Sequence, residues 1–229
     1  MRRRLAMLER QRVLEQERSR IARDMHDEIG ARLTQISLLS AMAGGSAGDE
    51  AEVRTQTSKI SGVARDLTWS LDEIVWAVRP QNDNLESLVD YLDEALRDLC
   101  VGSPVRYWFS GPPVLPAMEV PANVRHNILL ACWEAVNNTL KHSGASEVRV
   151  NVRLNTGTLE IEITDNGRGF DVAKGEAKRS GLVHIRQRLE EIGGSCVFKS
   201  TPGQGTHFSF TAPMGAEIST APGTATKTA

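Results

Sequence analysis

One histidine near the start of the chain has the neighbours that a nucleophilic imidazole needs. His26 is followed by Asp27, whose carboxylate can accept the Nδ1 proton of the ring and leave a free lone pair on Nε2. Gly30 lies one helical turn further on, and its missing side chain leaves open space beside His26. Glycine inside a helix costs about 1 kcal/mol relative to alanine, and room for an incoming phosphoryl group would explain that cost. The alternative, a structural or merely exposed histidine, stays open here.

A second group of polar residues has the spacing of a helix face. Glu134, Asn138 and His142 follow one another at intervals of four, so they share one face of a continuous α-helix. Carboxylate and amide oxygens suit Mg²⁺, which keeps several water ligands and bridges phosphates. Lys141 can reach a phosphate as a positive charge. Such pairs are also common on solvated helices, which is the alternative interpretation.

The segment ITDNGRGF suggests a pocket for a flat ring. Asp165 ends a predicted strand and can accept a hydrogen bond from an adenine amino group. Gly167 and Gly169 allow the backbone to approach a ring closely. Taken alone, the segment would also fit an ordinary turn.

Two further glycine motifs follow. Gly181 and Leu182 stand at the start of a predicted helix, whose N-terminus can bind a phosphate. The segment GQGT contributes Gly203, Gly205 and Thr206.

Two long helices are predicted to position His26. Apolar residues recur at three- and four-residue spacing from about Arg4 to Ala43, and a second such series runs from Ile60 to Val78. The segment 43–50 between them is predicted to be a turn, and Pro80 ends the second helix. Each helix has an apolar stripe but only one partner, so we expect two chains to form a four-helix bundle as a homodimer.

Beyond a linker at 81–84, the pattern changes to mixed α and β structure. The spacing predicts helices over 85–101, 121–141 and 182–192, and strands over 105–109, 147–154, 158–164, 196–200 and 206–212. The predicted class is α+β, with a helical hairpin in 1–80, an α/β sandwich in 85–213 and a disordered tail in 214–229.

Two resemblances join these observations. The run IARDMHDEIG around His26 resembles the phosphoacceptor segment of the sensor histidine kinases that partner LuxR-type response regulators. The motifs E-x-x-x-N, D-x-G-x-G, G-L and G-x-G-T, in this order, resemble the nucleotide-binding boxes of the Bergerat ATP fold, which gyrase, Hsp90, MutL and histidine kinases share. Neither a P-loop nor the protein-kinase motifs are present. The resemblance extends over about residues 10–213.

The resemblance implies a two-component histidine kinase that uses Mg²⁺ and ATP. His26 would be the phosphoacceptor, Asp27 its acid/base partner and Glu134 a base or a support for the metal ligand. Asn138 would bind Mg²⁺ and Asp165 the adenine. The other implied nucleotide-binding residues are Lys141, His142, Gly167, Gly169, Gly181, Leu182, Gly203, Gly205 and Thr206.

The implied partner is the receiver domain of a LuxR-type response regulator, whose aspartate would take the phosphate. In many relatives a glutamine five residues after the phosphoacceptor orients the water that hydrolyses the regulator's phosphoaspartate. Ala31 occupies that position here and can hold no water, which predicts a kinase with weak phosphatase activity. The alternatives are a Bergerat-fold ATPase and a nucleotide-binding scaffold, both without histidine phosphorylation.

Composition limits the remaining possibilities. The net charge of −2 gives no general attraction to nucleic acid, and the three cysteines form no CxxC pair, which predicts buried free thiols. No apolar run reaches the roughly 20 residues of a membrane span. Residues 1–23 hold eight arginines and three glutamates, a net charge of +5. That charge fits either a segment after a membrane span or a solvated helix, so we expect a cytoplasmic chain or the cytoplasmic part of an inner-membrane sensor.

Overall fold

The computed structural model describes residues 29–45, 50–77, 79–171 and 180–214 of the 229-residue chain. His26 and Asp27 lie outside these ranges, as does the predicted tail after Met214. No helix among the described residues is long and apolar enough to cross a membrane.

The chain divides into two compact units. Of the described residues, the first unit contains those up to Asp83 together with Pro121–His126, and the second contains Asn84–Val120 and those from Asn127 onward. The segment Pro121–His126 thus belongs with the hairpin, although it falls within the domain that the sequence pattern assigned to 85–213.

The first unit is built on two helices. Helix α1 covers residues 29–45 and α2 covers Glu50–Ala77. Arg32 on α1 and Asp66 on α2 lie 3.8 Å apart, which is expected of two antiparallel helices joined by a short connection. The predicted turn over 43–50 is too long, because Gly44 and Gly45 continue α1 and Glu50 already belongs to α2.

Large apolar side chains remain exposed on both helices of the hairpin. On α1, Leu33 and Leu38 are 50% and 62% exposed, and on α2, Leu71 and Val75 are 38% and 48% exposed. Leu71 and Val75 are one turn apart on α2, and exposed apolar residues on one helix face are typical of an association surface.

The segment Pro121–His126 packs against α2 within the first unit. The fully buried carboxylate of Glu73 on α2 lies 2.8 Å from Nδ1 of His126. The equally buried Arg125 donates to the carbonyl oxygen of Ala77 and forms an ion pair with Asp83 at 2.6 Å. The buried guanidinium of Arg125 is thus in an ion pair and the buried carboxylate of Glu73 has a hydrogen-bond partner, as a protein interior requires.

The second unit is a five-stranded mixed sheet with helices. Helix α4 covers Ala122–Asn138, and its residues from Asn127 onward belong to this unit. The other elements of the unit are, in chain order, α3 (Leu85–Cys100), β1 (Arg106–Ser110), β2 (Glu147–Asn155), β3 (Thr158–Asp165), α5 (Ser180–Glu191), β4 (Ser195–Ser200) and β5 (Thr206–Pro213). The strand order is β1-β2-β3-β5-β4, and only the β1–β2 pair is parallel. The helical region followed by this mixed sheet confirms the predicted α+β class.

One face of the sheet carries the core of the second unit. Side chains alternate along β2, β3 and β5, so that Val150, Ile161 and Phe210 are almost completely buried while their neighbours face outward. Helix α3 packs on β1, and α5 packs on β4 and β5. Helix α3 begins where the side chain of Asn84 accepts a hydrogen bond from the backbone N–H of Ser87.

The three cysteines are free and buried, as predicted. Burial raises the pKa of Cys100 and of Cys196 to about 11, and it also raises the pKa of Cys132.

Candidate functional site

A buried carboxylate marks the centre of the candidate site. Asp165 is the last residue of β3, pairs with Thr206 of β5 and is only 4% exposed. Its Oδ1 accepts the backbone N–H of Gly167 at 2.8 Å, and its Oδ2 accepts the hydroxyl of Thr139 at 3.3 Å. Each carboxylate oxygen can accept more than one hydrogen bond, so Asp165 retains acceptor capacity for a ligand.

The loop after Asp165 is tied to the sheet by its next residue. The side-chain oxygen of Asn166 accepts the backbone N–H groups of Ser146 and Glu147, both at 3.0 Å, and its amide donates to the hydroxyl of Ser146. Gly205 packs closely against the same loop: it has φ of +76°, and a Cβ there would overlap the carbonyl oxygen of Asp165. This glycine is therefore needed for contact between two backbones.

Glu134 and Asn138 meet on one face of α4. The amide nitrogen of Asn138 donates to Oε1 of Glu134 at 3.1 Å, and both side chains are partly buried. The start of α5 lies directly against them, because a Cβ on Gly181 would overlap Oε1 of Glu134 and lie 3.3 Å from Nδ2 of Asn138. The structure therefore brings Glu134, Asn138 and Gly181 together.

The end of α4 differs from the prediction of a uniform helix. The α-helix ends at Asn138 and continues as one π-helical turn over Thr139–Ser143. Lys141 and His142 lie on this π turn and not on the α-helical part of α4. Lys141 and His142 are both exposed.

The remaining predicted residues lie in the loops next to Asp165 or, for Thr206 and Leu182, in β5 and α5. Thr206 is buried, and its hydroxyl lies 3.2 Å from that of Ser200. The backbone N–H of Gly203 donates to the carbonyl oxygen of Arg168 at 2.7 Å. Leu182 is buried in α5, and a Cβ on Gly169 would overlap the carbonyl oxygen of Thr201.

These groups suit a purine nucleotide. The buried Asp165 carboxylate offers an acceptor for an amino group, and the N-terminus of α5 next to Glu134 and Asn138 offers N–H groups for a phosphate. The oxygen donors of Glu134 and Asn138 fit Mg²⁺ bound together with phosphates and water. No cluster of three His, Cys, Asp or Glu side chains able to hold a metal occurs in the described ranges.

Three residues that order the site were not predicted. They are Thr139, Asn166 and Ser143, whose carbonyl oxygen accepts the N–H of Arg168 at 2.8 Å. In the sequence, Thr139 and Ser143 are marked only as polar residues close to Glu134 and Asn138.

Two family models match the chain. A family described as "Histidine kinase" matches residues 17–83, a range that includes His26 and Asp27. A second, described as "Histidine kinase-, DNA gyrase B-, and HSP90-like ATPase", matches residues 123–216, a range that includes Glu134, Asn138 and Asp165.

Curated sensor proteins are similar over most of the chain. Sensor protein VraS of Staphylococcus epidermidis is 28% identical over 206 residues, which are 90% of this chain and 58% of the relative. Sensor protein VraS of Staphylococcus aureus (strain COL) is 27% identical over 208 residues, with the same coverage. The chain thus spans 58% of the length of these relatives.

Solved structures share the fold. The histidine kinase domain of the blue-light activated histidine kinase from Erythrobacter litoralis EL346 is 17% identical, with a TM-score of 0.51 over 86% of this chain and 94% of that one. The Acinetobacter baumannii histidine kinase AdeS is 13% identical, with a TM-score of 0.53 over 82% and 98%. At these identities, the likeness concerns the fold alone.

Proposed function

The chain belongs to the histidine kinase family, and on that premise we propose that it transfers the γ-phosphoryl group of ATP to His26. The observation that carries the proposal is the buried carboxylate of Asp165, held through both oxygens at the end of β3. A buried carboxylate with fixed orientation and spare acceptor capacity is the group expected to select an adenine amino group.

The nucleotide would bind along α4, from Asp165 to the start of α5. Asp165 would accept the amino group of the base. The phosphates would lie near Gly181, where the N-terminus of α5 faces Glu134 and Asn138. We also assign Leu182, Gly167, Gly169, Gly203, Gly205 and Thr206 to the walls of this pocket, and we place Lys141 and His142 at its edge.

Mg²⁺ would be held by Asn138 together with the phosphates. Its charge would neutralise the phosphate oxygens during transfer. Asn138 already donates one amide hydrogen to Glu134, and this bond directs its carbonyl oxygen away from that carboxylate. Glu134 thereby positions the ligand, and its own carboxylate remains available as a base.

The acceptor chemistry would be carried by His26 and Asp27. Asp27 would accept the Nδ1 proton of the imidazole, so that Nε2 presents its lone pair to the γ-phosphorus. A P–N bond forms at Nε2, the bond between the γ-phosphorus and the bridging oxygen breaks, and ADP leaves with that electron pair. Positioning and charge neutralisation supply most of such catalysis.

The phosphate would then pass to an aspartate on the receiver domain of a LuxR-type response regulator. Two chains would form the working unit, because Leu33, Leu38, Leu71 and Val75 are exposed on the hairpin of a single chain. Pairing of two hairpins into a four-helix bundle would bury these residues. We further propose 1–80 as the acceptor and dimerisation domain, 81–84 as the linker and 85–213 as the ATP-binding domain.

The competing function is ATP hydrolysis with Glu134 as the base for water. The position of Glu134 beside Asn138 is compatible with that role as a base. The two functions differ in where the γ-phosphate ends. With γ-labelled ATP and Mg²⁺, we expect stoichiometric label on the protein and slow release of inorganic phosphate. Rapid, sustained phosphate release without labelled protein would refute the kinase and support the hydrolase.

A further inference from the structure

We propose that Thr139 is a positioning residue that sets the adenine selectivity of Asp165. The proposal rests on the proposed function, because it assigns to Asp165 the recognition of the base. Thr139 is 3% exposed and lies at the junction between the α-helical part of α4 and the π turn.

The hydroxyl of Thr139 lies between two acceptors. It is 3.3 Å from Oδ2 of Asp165 and 3.3 Å from the carbonyl oxygen of Ala135. A hydroxyl has a single proton, and an ionised carboxylate is a stronger acceptor than a neutral carbonyl. The hydroxyl of Thr139 therefore donates its hydrogen bond to Asp165. The β-branched side chain keeps the rotamer that points back toward Ala135.

This bond fixes the rotation of the carboxylate. The terminal torsion of an aspartate side chain has broad, roughly two-fold minima, so a single donor leaves it free to turn. Gly167 holds Oδ1 from the loop and Thr139 holds Oδ2 from the helix. With both oxygens held, the plane of the carboxylate is fixed, and so are the directions of its remaining lone pairs.

The π turn sets the distance between the helix and the loop. Ser143, at the far end of the turn, donates its hydroxyl to the carbonyl oxygen of Thr139 at 2.7 Å, and its own carbonyl accepts the N–H of Arg168 at 2.8 Å. A Cβ on Gly167 would overlap the side chain of Ser143. The turn thus contacts the Asp165 loop at both ends, which places the Thr139 hydroxyl against the carboxylate.

The consequence is that the Thr139 hydroxyl should affect recognition of the base and not recognition of the phosphates. ADP carries an amino group at the six position of its purine, whereas inosine diphosphate carries an oxygen there and shares the sugar and phosphates. A loosely held Asp165 would bind the amino group less well, but it would leave the contacts to the phosphates unchanged. Loss of the hydroxyl should therefore weaken ADP about tenfold, the lower end for a hydrogen bond to a charged group.

The test uses the full 229-residue chain and calorimetric titration with ADP and with inosine diphosphate, both in Mg²⁺. Thr139→Val removes the hydroxyl and keeps the shape, and Thr139→Ser keeps the hydroxyl. We expect Thr139→Val to lose about tenfold in its preference for ADP over inosine diphosphate, with inosine diphosphate affinity within about twofold of the parent. Thr139→Ser should retain the preference.

Unchanged preference in Thr139→Val, or equal weakening of both nucleotides, would overturn the proposal and leave ATP binding by the parent intact. A parent without preference for ADP would instead overturn the role of Asp165, and this inference with it. Circular dichroism establishes that each variant is folded, and Thr139→Ala serves as a second variant without the hydroxyl. Failure of both variants to fold would also contradict the proposal, because the hydroxyl would then be needed for the fold.

Discussion

Substitution of Asp165 by asparagine should weaken nucleotide binding strongly while leaving the fold intact. Asparagine has nearly the same volume, and its oxygen can still accept the N–H of Gly167, which lies 2.8 Å from Oδ1 in the parent. The amide nitrogen must then replace Oδ2 beside Thr139, whose hydroxyl can reverse and accept. The charge disappears and one side of the group becomes a donor, so it repels the amino group of adenine.

The expected loss follows from the environment of the carboxylate. Asp165 is 4% exposed, so little water competes for its lone pairs. A hydrogen bond to a charged group contributes about 1.5–3 kcal/mol, which corresponds to a roughly 10- to 150-fold increase in Kd. Calorimetric titration of ADP with Mg²⁺ measures this change directly, and the unfolding curve of Asp165→Asn checks that the protein is folded.

Glu134→Gln provides the matched control. The glutamine oxygen can still accept the amide of Asn138, so ADP affinity should stay within about threefold of the parent. The rate of autophosphorylation should fall, because glutamine cannot act as a base. Equal loss of ADP affinity in the two variants, or no loss in Asp165→Asn, would refute the different roles of these residues.

Three further predictions concern the hairpin. Leu71→Asp, at an exposed apolar position of α2, should shift the chain from dimer to monomer in light-scattering chromatography, because an unpaired charge is costly to bury between two hairpins. Ala31→Gln, on the exposed surface of α1, should speed dephosphorylation of a phosphorylated cognate regulator in the presence of ADP, because the new amide can hold a water. The same substitution should not lower the rate of autophosphorylation. Glu73→Gln should lower the free energy of unfolding by about 1–3 kcal/mol, since it removes the buried charge opposite His126, and the thermal midpoint should fall by several degrees.

Each of these has a control and a contradicting outcome. Val101→Asp, at a site 75% exposed outside the hairpin, should leave the dimer unchanged, and a dimeric Leu71→Asp would place the interface elsewhere. Rapid dephosphorylation by the unmodified chain would show that a group other than residue 31 positions the water. An unchanged midpoint in Glu73→Gln would mean that the contact with His126 contributes nothing to stability.

Periodicity was sufficient to predict most of the elements. The alternating pattern over 147–154 and 158–164 matches β2 and β3 to within one residue, and the helix predicted over 85–101 ends one residue earlier. These segments are each buried on one side, so their side-chain pattern is set by a single local geometry.

Features that depend on distant contacts were not predictable in the same way. The π turn over Thr139–Ser143 leaves no distinct spacing in the sequence, so the pattern predicted an ordinary helix to residue 141 instead. The prediction of a turn at Gly44 and Gly45 was also wrong. Two glycines near the end of α1 cost too little free energy to end the helix before them. The pairing of His126 with Glu73 joins residues 53 positions apart, and no local pattern records it.

The candidate site was predicted only where its contacts are local in the sequence. Glu134 and Asn138 are one turn apart on α4, so their contact follows from helical spacing alone. Asp165 could be located because it ends an alternating strand, but its contact with Thr139 required the packing of α4 on the sheet. The glycines were recognised by type, yet Gly205 proved to be needed for contact with the carbonyl of Asp165.

The most direct test of the central claim is the chemical identity of the phosphorylated residue. The full chain and His26→Gln are incubated with γ-labelled ATP and Mg²⁺, and the label on each protein is followed after treatment with acid and with base. We expect label on the parent alone, lost in acid and kept in base, as a phosphorus–nitrogen bond requires. Equal label on His26→Gln, or label that survives acid, would contradict phosphorylation of His26.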